Sequence, residues 1–114
     1  MLNYLLTTQP QTIIAASDNT NVAVINIVLT NLNSLPAKVQ IYAVPNGKSL
    51  PTYDENGKLT GGNPETLLAN LTLESDETIF FSTEKFLLHP GDAIYAKVLT
   101  DTDQVACHVV YEVY

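Results

Sequence analysis

F-L-L-H-P-G-D-A-I-Y-A-K-V-L, residues 86–99, is the stretch whose reading decides the fold. An apolar run, Phe86-Leu87-Leu88, meets a turn, His89-Pro90-Gly91-Asp92, and a new strand leaves at once over residues 93–99. Proline presets φ near about −65°, glycine admits a positive φ, and the aspartate carboxylate accepts a backbone N–H inside the turn. Beyond the turn the side chains alternate, with Ile94, Ala96 and Val98 on one face and Tyr95 and Lys97 on the other. Two strands joined by a tight turn need a sheet around them, because a lone hairpin is marginal in water. The expectation is a hairpin inside a larger β domain, with Ile94, Ala96 and Val98 in its core.

The rest of the chain reads the same way. Residues 2–8 form a first strand that Pro10 closes, since proline cannot donate to a central ladder. Residues 11–16 form a second, and the polar cluster 17–21 turns the chain. Residues 22–32 are β-branched on both faces, as in a central strand. Residues 37–45 alternate most cleanly, Val39, Ile41 and Ala43 inward and Lys38, Gln40 and Tyr42 outward. Residues 46–63 hold Gly47, Gly57, Gly61 and Gly62 and form a long loop, or carry a small hairpin around Asn56-Gly57. Residues 64–71 fit one helical turn begun by Pro64 and Glu65, or a buried strand. Residues 78–82 and 104–114 are further strands; the last ends the chain and is expected near a sheet edge. Residues 83–85 and 100–103 read as turns. A loose echo links Leu73-Glu-Ser-Asp-Glu-Thr78 to Leu88-His-Pro-Gly-Asp-Ala93, read as repeated hairpin chemistry. About eight short strands at this spacing give an antiparallel β-sandwich, jelly-roll or Ig-like, in one domain over residues 1–114.

Composition narrows the partners. Charged residues are only 15%, so Asn, Thr, Ser and Gln must supply the polar surface, as on β domains that pack against copies or partners. The net charge is −7, and the five cations are scattered lysines. A phosphate backbone needs clustered cations, which argues against nucleic acid and against an anionic membrane surface. Residues 1–10 carry neither a basic n-region nor a long apolar run, so synthesis in a cytoplasm is expected. The single cysteine, Cys107, forms no intrachain disulfide and no cysteine-based zinc site.

No catalytic set, cofactor motif or metal site emerges. Cys107 and His108 adjoin in a strand, where successive side chains face opposite ways and form no dyad. His89 reads as a turn residue. Thr52-x-Asp54-x-Asn56-Gly57 falls on EF-hand spacing, but Thr52 and Asn63 stand where Asp and the bidentate Glu belong. A looser cation site on Asp54, Glu55 or Glu65 stays open. Gly61-Gly62 lacks the ending of a phosphate loop. What stands out is Tyr42, Tyr53, Tyr95, Tyr111 and Tyr114, a tyrosine-rich surface suited to protein contact or carbohydrate stacking. Tyr42, Tyr53, Asp54 and Tyr95 are the candidate interaction residues.

Several of these segments together resemble small β-sandwich proteins of tailed-bacteriophage virions. The pattern runs from Ile25-Asn-Ile-Val-Leu-Thr-Asn31 through Val39-Gln-Ile-Tyr-Ala-Val-Pro-Asn-Gly47. It continues through residues 67–78 to Leu88-x-Pro-Gly-Asp-x-Ile-x-Ala-Lys97 and the valine-rich last strand. The resemblance covers residues 22–113 and departs from the pattern in residues 53–62 and before Val22. It implies a non-enzymatic virion protein of capsid, neck, tail or fibre, located on the particle and packed against copies of itself and neighbouring virion proteins. The alternative is a carbohydrate- or receptor-binding module of a fibre. It implies no catalytic residue and no cofactor.

Overall fold

Alternation puts one side-chain row of each sheet strand indoors. The computed structural model, which describes residues 2–81, 86–100 and 104–113, has eleven strands, nine of them in the two sheets that close around those rows. In chain order they are β1 (Leu2–Leu5), β2 (Gln11–Ala15), β3 (Val22–Asn31), β4 (Ala37–Val44), β5 (Thr52–Tyr53) and β6 (Leu59–Gly61). Then come β7 (Leu67–Leu73), β8 (Thr78–Phe81), β9 (Phe86–Leu88), β10 (Ala93–Val98) and β11 (Val105–Val113). One sheet has the order β1-β11-β3-β8, with β9 also on β3; the other has β2-β10-β4-β7. All pairings are antiparallel.

β11 occupies one edge of β3 along its whole length, so β8 and β9 must share the other. They fill one position in the sheet. The sandwich therefore has eight strand positions, and β5–β6 is a hairpin added between β4 and β7. Of the connections between these positions, only β4 to β7 stays within one sheet; every other one crosses to the facing layer. An Ig-like sandwich keeps several hairpins within a sheet, whereas two facing four-position sheets joined by crossings are a jelly roll.

This topology corrects the reading of the deciding stretch. β9 pairs with β3 in one sheet and β10 with β2 and β4 in the other, so His89-Pro90-Gly91-Asp92 is a corner between layers and not a hairpin. The chemistry inside the turn is as expected. The Asp92 N–H donates to His89 O (2.9 Å), and Asp92 Oδ2 accepts the His89 N–H (3.0 Å). The corner is then tied to distant chain. Gly91 N–H donates to Ala16 O and Ala16 N–H to Asp92 O, both 3.0 Å, while Asp92 Oδ1 accepts the Asn46 N–H at 2.8 Å.

The echo at residues 73–78 is a second corner of the same make. Leu73 and Leu88 are both buried, Asp76 and Gly91 both hold positive φ (60° and 89°), and Glu77 Oε1 accepts the Glu74 N–H as Asp92 accepts that of His89. A third corner, residues 17–20, repeats the left-handed third position at Asn19 (φ 64°). Gly91 carries an extra constraint, because a Cβ there would lie 2.6 Å from Asn46 Cγ, whereas one at Gly57 (φ 80°) would meet nothing. Gly57→Ala is expected to cost about 1 kcal/mol from backbone strain alone, and Gly91→Ala about 1–2 kcal/mol more. Equal urea midpoints for the two variants would contradict the close docking of the corner on Asn46.

At the β3–β4 corner the fold buries an amide. Asn31 is 1% exposed, and its Nδ2 donates to Leu35 O (2.8 Å), Leu73 O (3.2 Å) and Glu74 O (3.1 Å). Its Oδ1 accepts the Asn33 N–H at 2.9 Å. One side chain thus pins the end of β3 to the β7–β8 corner.

Between the sheets lie the expected core residues: Ile41, Ile94 and Ala96 at 0% exposure and Val98 at 1%. Ile13, Ile27, Leu29, Val39, Leu73, Val105 and Val109 join them. β3 is central, as its two apolar faces predict. Elsewhere the structure differs from the expectations. β1 stops at Leu5 because the chain changes layers there: Leu6 N–H bonds Val105 O in one sheet, while Thr7 O accepts from Val98 N–H in the other. Residues 64–71 contain both open alternatives, a 3-10 turn at Pro64–Thr66 and the strand β7, whose Leu67 and Leu68 are exposed rather than buried. β11 lies between β1 and β3, not at an edge. The turns expected at 83–85 and 101–103 lie outside the described residues. Among the described residues no helix is long and apolar enough to cross a membrane.

Candidate interaction surface

The hairpin between β4 and β7 is built from local turn chemistry. Gly47 takes φ 87° and Lys48 N–H returns to Pro45 O. Ser49 and Asn63 then clamp the hairpin's base, Ser49 N–H to Asn63 Oδ1 and Asn63 N–H to Ser49 O, both 3.0 Å. At the tip Asp54 Oδ1 accepts the N–H groups of Asn56 and Lys58, each at 2.9 Å, the usual work of aspartate in a turn. The hairpin alternative for residues 46–63 is thus the one adopted, and it stands in solvent, with Tyr53 53% and Leu59 42% exposed.

Three of the four candidate residues come together beside this hairpin. Tyr95 and Tyr42 are partners across β10 and β4. Tyr42 faces outward like Gln40, and its hydroxyl donates to Gln40 Oε1 (2.7 Å), whose Nε2 donates to Asn70 Oδ1 (2.9 Å). Burial, and secondarily the Tyr53 phenol, push the Tyr42 pKa up, so Tyr53 stands within electrostatic reach. Tyr42 is only 5% exposed, which corrects its reading as an open contact residue: it supports the surface from beneath. Tyr53 and the half-buried Tyr95 are the accessible pair. Asp54 sits at the hairpin tip with one carboxylate oxygen committed to the turn. Tyr111 is also corrected. It continues the inward row of Val105, Cys107 and Val109 in β11 and packs on the core. Tyr114 lies outside the described residues.

The remaining chemical candidates are placed as follows. Cys107 points inward at 0% exposure, while His108 on the opposite face contacts Asn3 Oδ1 through Nδ1. His89 lies 3.8 Å from Asp92 Oδ2 in the exposed corner. Glu65 is 3.4 Å from Lys48 Nζ; a hydrogen bond from its own backbone N–H, then the Lys48 ammonium, holds its carboxyl below the ordinary value. Among the described residues no three His, Cys, Asp or Glu side chains gather around a common point.

Burial pushes the Cys107 thiol up to about 12. The unfolded chain releases this proton near pH ~8.5. The folded pKa is the higher, so the stability is whole below that pH and declines as pH rises toward 12. Cys107→Ala, at a packing cost of about 1 kcal/mol, is expected to flatten the decline. Urea midpoints at neutral and alkaline pH check this, and an unchanged alkaline slope would contradict it.

One surface went unnoticed in the sequence, the outer face of the β1-β11-β3-β8 sheet. Phe80 is 66% exposed there and Leu5 55%, although Phe81 and Leu6, their neighbours, pack inward. The signal was present in the doubled residues Leu5-Leu6 and Phe80-Phe81, since two adjacent apolar residues in a strand cannot share a face.

Compared with known proteins, the chain matches no family model, no curated protein and no solved structure.

Proposed function

We propose that this chain is a non-enzymatic structural protein of a tailed-phage particle. It is present in multiple copies as a capsid decoration, neck or tail accessory. The observation that carries this reading is the strand order β1-β11-β3-β8 facing β2-β10-β4-β7. Jelly rolls with this layering serve as building blocks of viral shells, and the warrant is one of fold-level analogy. The sparse surface charge and the uncovered sheet faces suit a subunit that meets other subunits over broad areas. Its partners are then copies of itself and neighbouring virion proteins.

A second reading, a carbohydrate- or receptor-binding module of a fibre, is favoured by the accessible Tyr53 beside Tyr42 and Tyr95, since exposed aromatic rings stack on sugars. Quantitative mass spectrometry of particles purified from cells that make the chain separates the outcomes. Several copies per particle are expected, and absence from particles overturns the proposal. A glycan-array signal lost with Tyr53→Ala would favour the second reading.

A further inference from the structure

We infer that the outer face of the β1-β11-β3-β8 sheet is a self-association surface, occupied by the same face of a second copy of this chain. The inference rests on the multi-copy reading above and assigns it a surface. Strand register sets the side chains in rows across the sheet: Asn3, His108, Val28 and Phe80 in one, Leu5, Ala106, Thr30 and Thr78 in the next. Leu5, Val28, Phe80 and Ala106 make half of these two rows apolar, with Phe80 and Leu5 standing furthest into solvent.

Charge selects the occupant. The chain carries −7, so two copies repel at most approaches. Acidic groups crowd the corners at Asp18, Asp76, Glu77 and Asp92, and the outer face of the other sheet carries Lys38 and Lys97. Among the described residues, the outward positions of the β1-β11-β3-β8 sheet hold a single charge, Glu112, near the end of β11. A cationic partner would gain most at the acidic corners. A second copy meets least repulsion here.

The area suits a weak dimer. β3 and β11 are 10 and 9 residues long, but β1, β8 and β9 only 4, 4 and 3, which at ~3.3 Å rise and ~4.8 Å spacing makes about 480 Å² of flat sheet. Side-chain relief brings this to the low end of specific interfaces, about 600 Å² per partner. A two-fold axis in the plane of contact and along the strands lays β8 of one copy over β1 of the other. That brings Phe80 and Leu5, the two most exposed apolar side chains of these strands, to the same margin of the interface.

Sedimentation velocity on the full chain tests this at concentrations up to about 100 μM. The expected result is a dimer that tightens as salt rises, because screening weakens repulsion between like-charged bodies. Phe80→Glu, at an exposed position, is expected to keep the parent circular-dichroism spectrum and weaken the dimer at least tenfold. Tyr53→Ala, on the hairpin, is expected to leave it unchanged. A chain monomeric throughout at high salt overturns the inference, as does a dimer indifferent to Phe80→Glu. Chain found in particles with either of those results would sink this surface and leave the multi-copy reading standing. The expected dimer in a chain absent from particles would do the reverse.

Discussion

Ile94→Asp is expected to abolish folding at neutral pH. Ile94 is 0% exposed in β10, between β2 and β4, paired with Ile14 on one side and Ala43 on the other. The substitution removes about 2–3 kcal/mol of apolar burial. It also puts a carboxylate where no water reaches, at several kcal/mol more. The total, about 5 kcal/mol or more, meets the whole stability of many domains of this size. Acid should partly rescue the variant. Burial raises the folded pKa of the introduced group, so its penalty is smallest below the unfolded value of ~3.9 and grows as pH rises above it. Lys58→Ala, on the exposed hairpin, is expected to stay within about 0.5 kcal/mol of the parent. Melting curves followed by circular dichroism check both. An Ile94→Asp variant that melts like the parent would refute the inward face of β10.

Asn31 carries the second large effect. Asn31→Leu keeps the branched skeleton but is bulkier, and it leaves three carbonyl oxygens and one N–H without their partner, at about 3 kcal/mol. Asn31→Asp is closer in shape and is expected to be worse at neutral pH. It sets a carboxylate oxygen against the carbonyls of Leu35, Leu73 and Glu74, which now receive the amide hydrogens. Denaturant midpoints rank the variants. If Asn31→Asp proved the milder, the amide would not be donating to these three carbonyls.

Much of the fold was legible because alternation is a local property. Residues 37–44 and 93–98 announced their inward rows, and Ile41, Ile94, Ala96 and Val98 lie where that rule places them. The turns were legible for the same reason, since Gly91, Asp92, Asn56 and Gly57 carry their conformations wherever the chain goes. What a turn cannot announce is which sheet its two strands enter. His89-Pro90-Gly91-Asp92 closes a hairpin or a corner equally well. Contacts with Ala16 and Asn46, far away along the chain, accompany the corner. The same holds for β11, which becomes an inner strand only because β1, from the other terminus, pairs with its free edge.

The candidate surface was half legible. Tyr53 is exposed as expected, but the burial of Tyr42 depends on distant segments meeting over the outer face of β4. Tyr111 was legible by alternation, since it follows Val105, Cys107 and Val109 on the inward row of β11; the bulge at Ile25 in β3, which sets Val24 opposite it, leaves no mark in composition. The Phe80–Leu5 face needed register before its two ends could be seen as one surface.

The layer-crossing corner after β9 is what separates a jelly roll from a simple hairpin stack, and the functional proposal stands on it. Cross-strand nuclear Overhauser contacts measure it most directly. The account predicts backbone contacts from Leu87 to Ala23 and from Ile94 to Ala43 and Ile14, with no ladder between β9 and β10. A continuous antiparallel ladder joining residues 86–88 to residues 93–95 would contradict it.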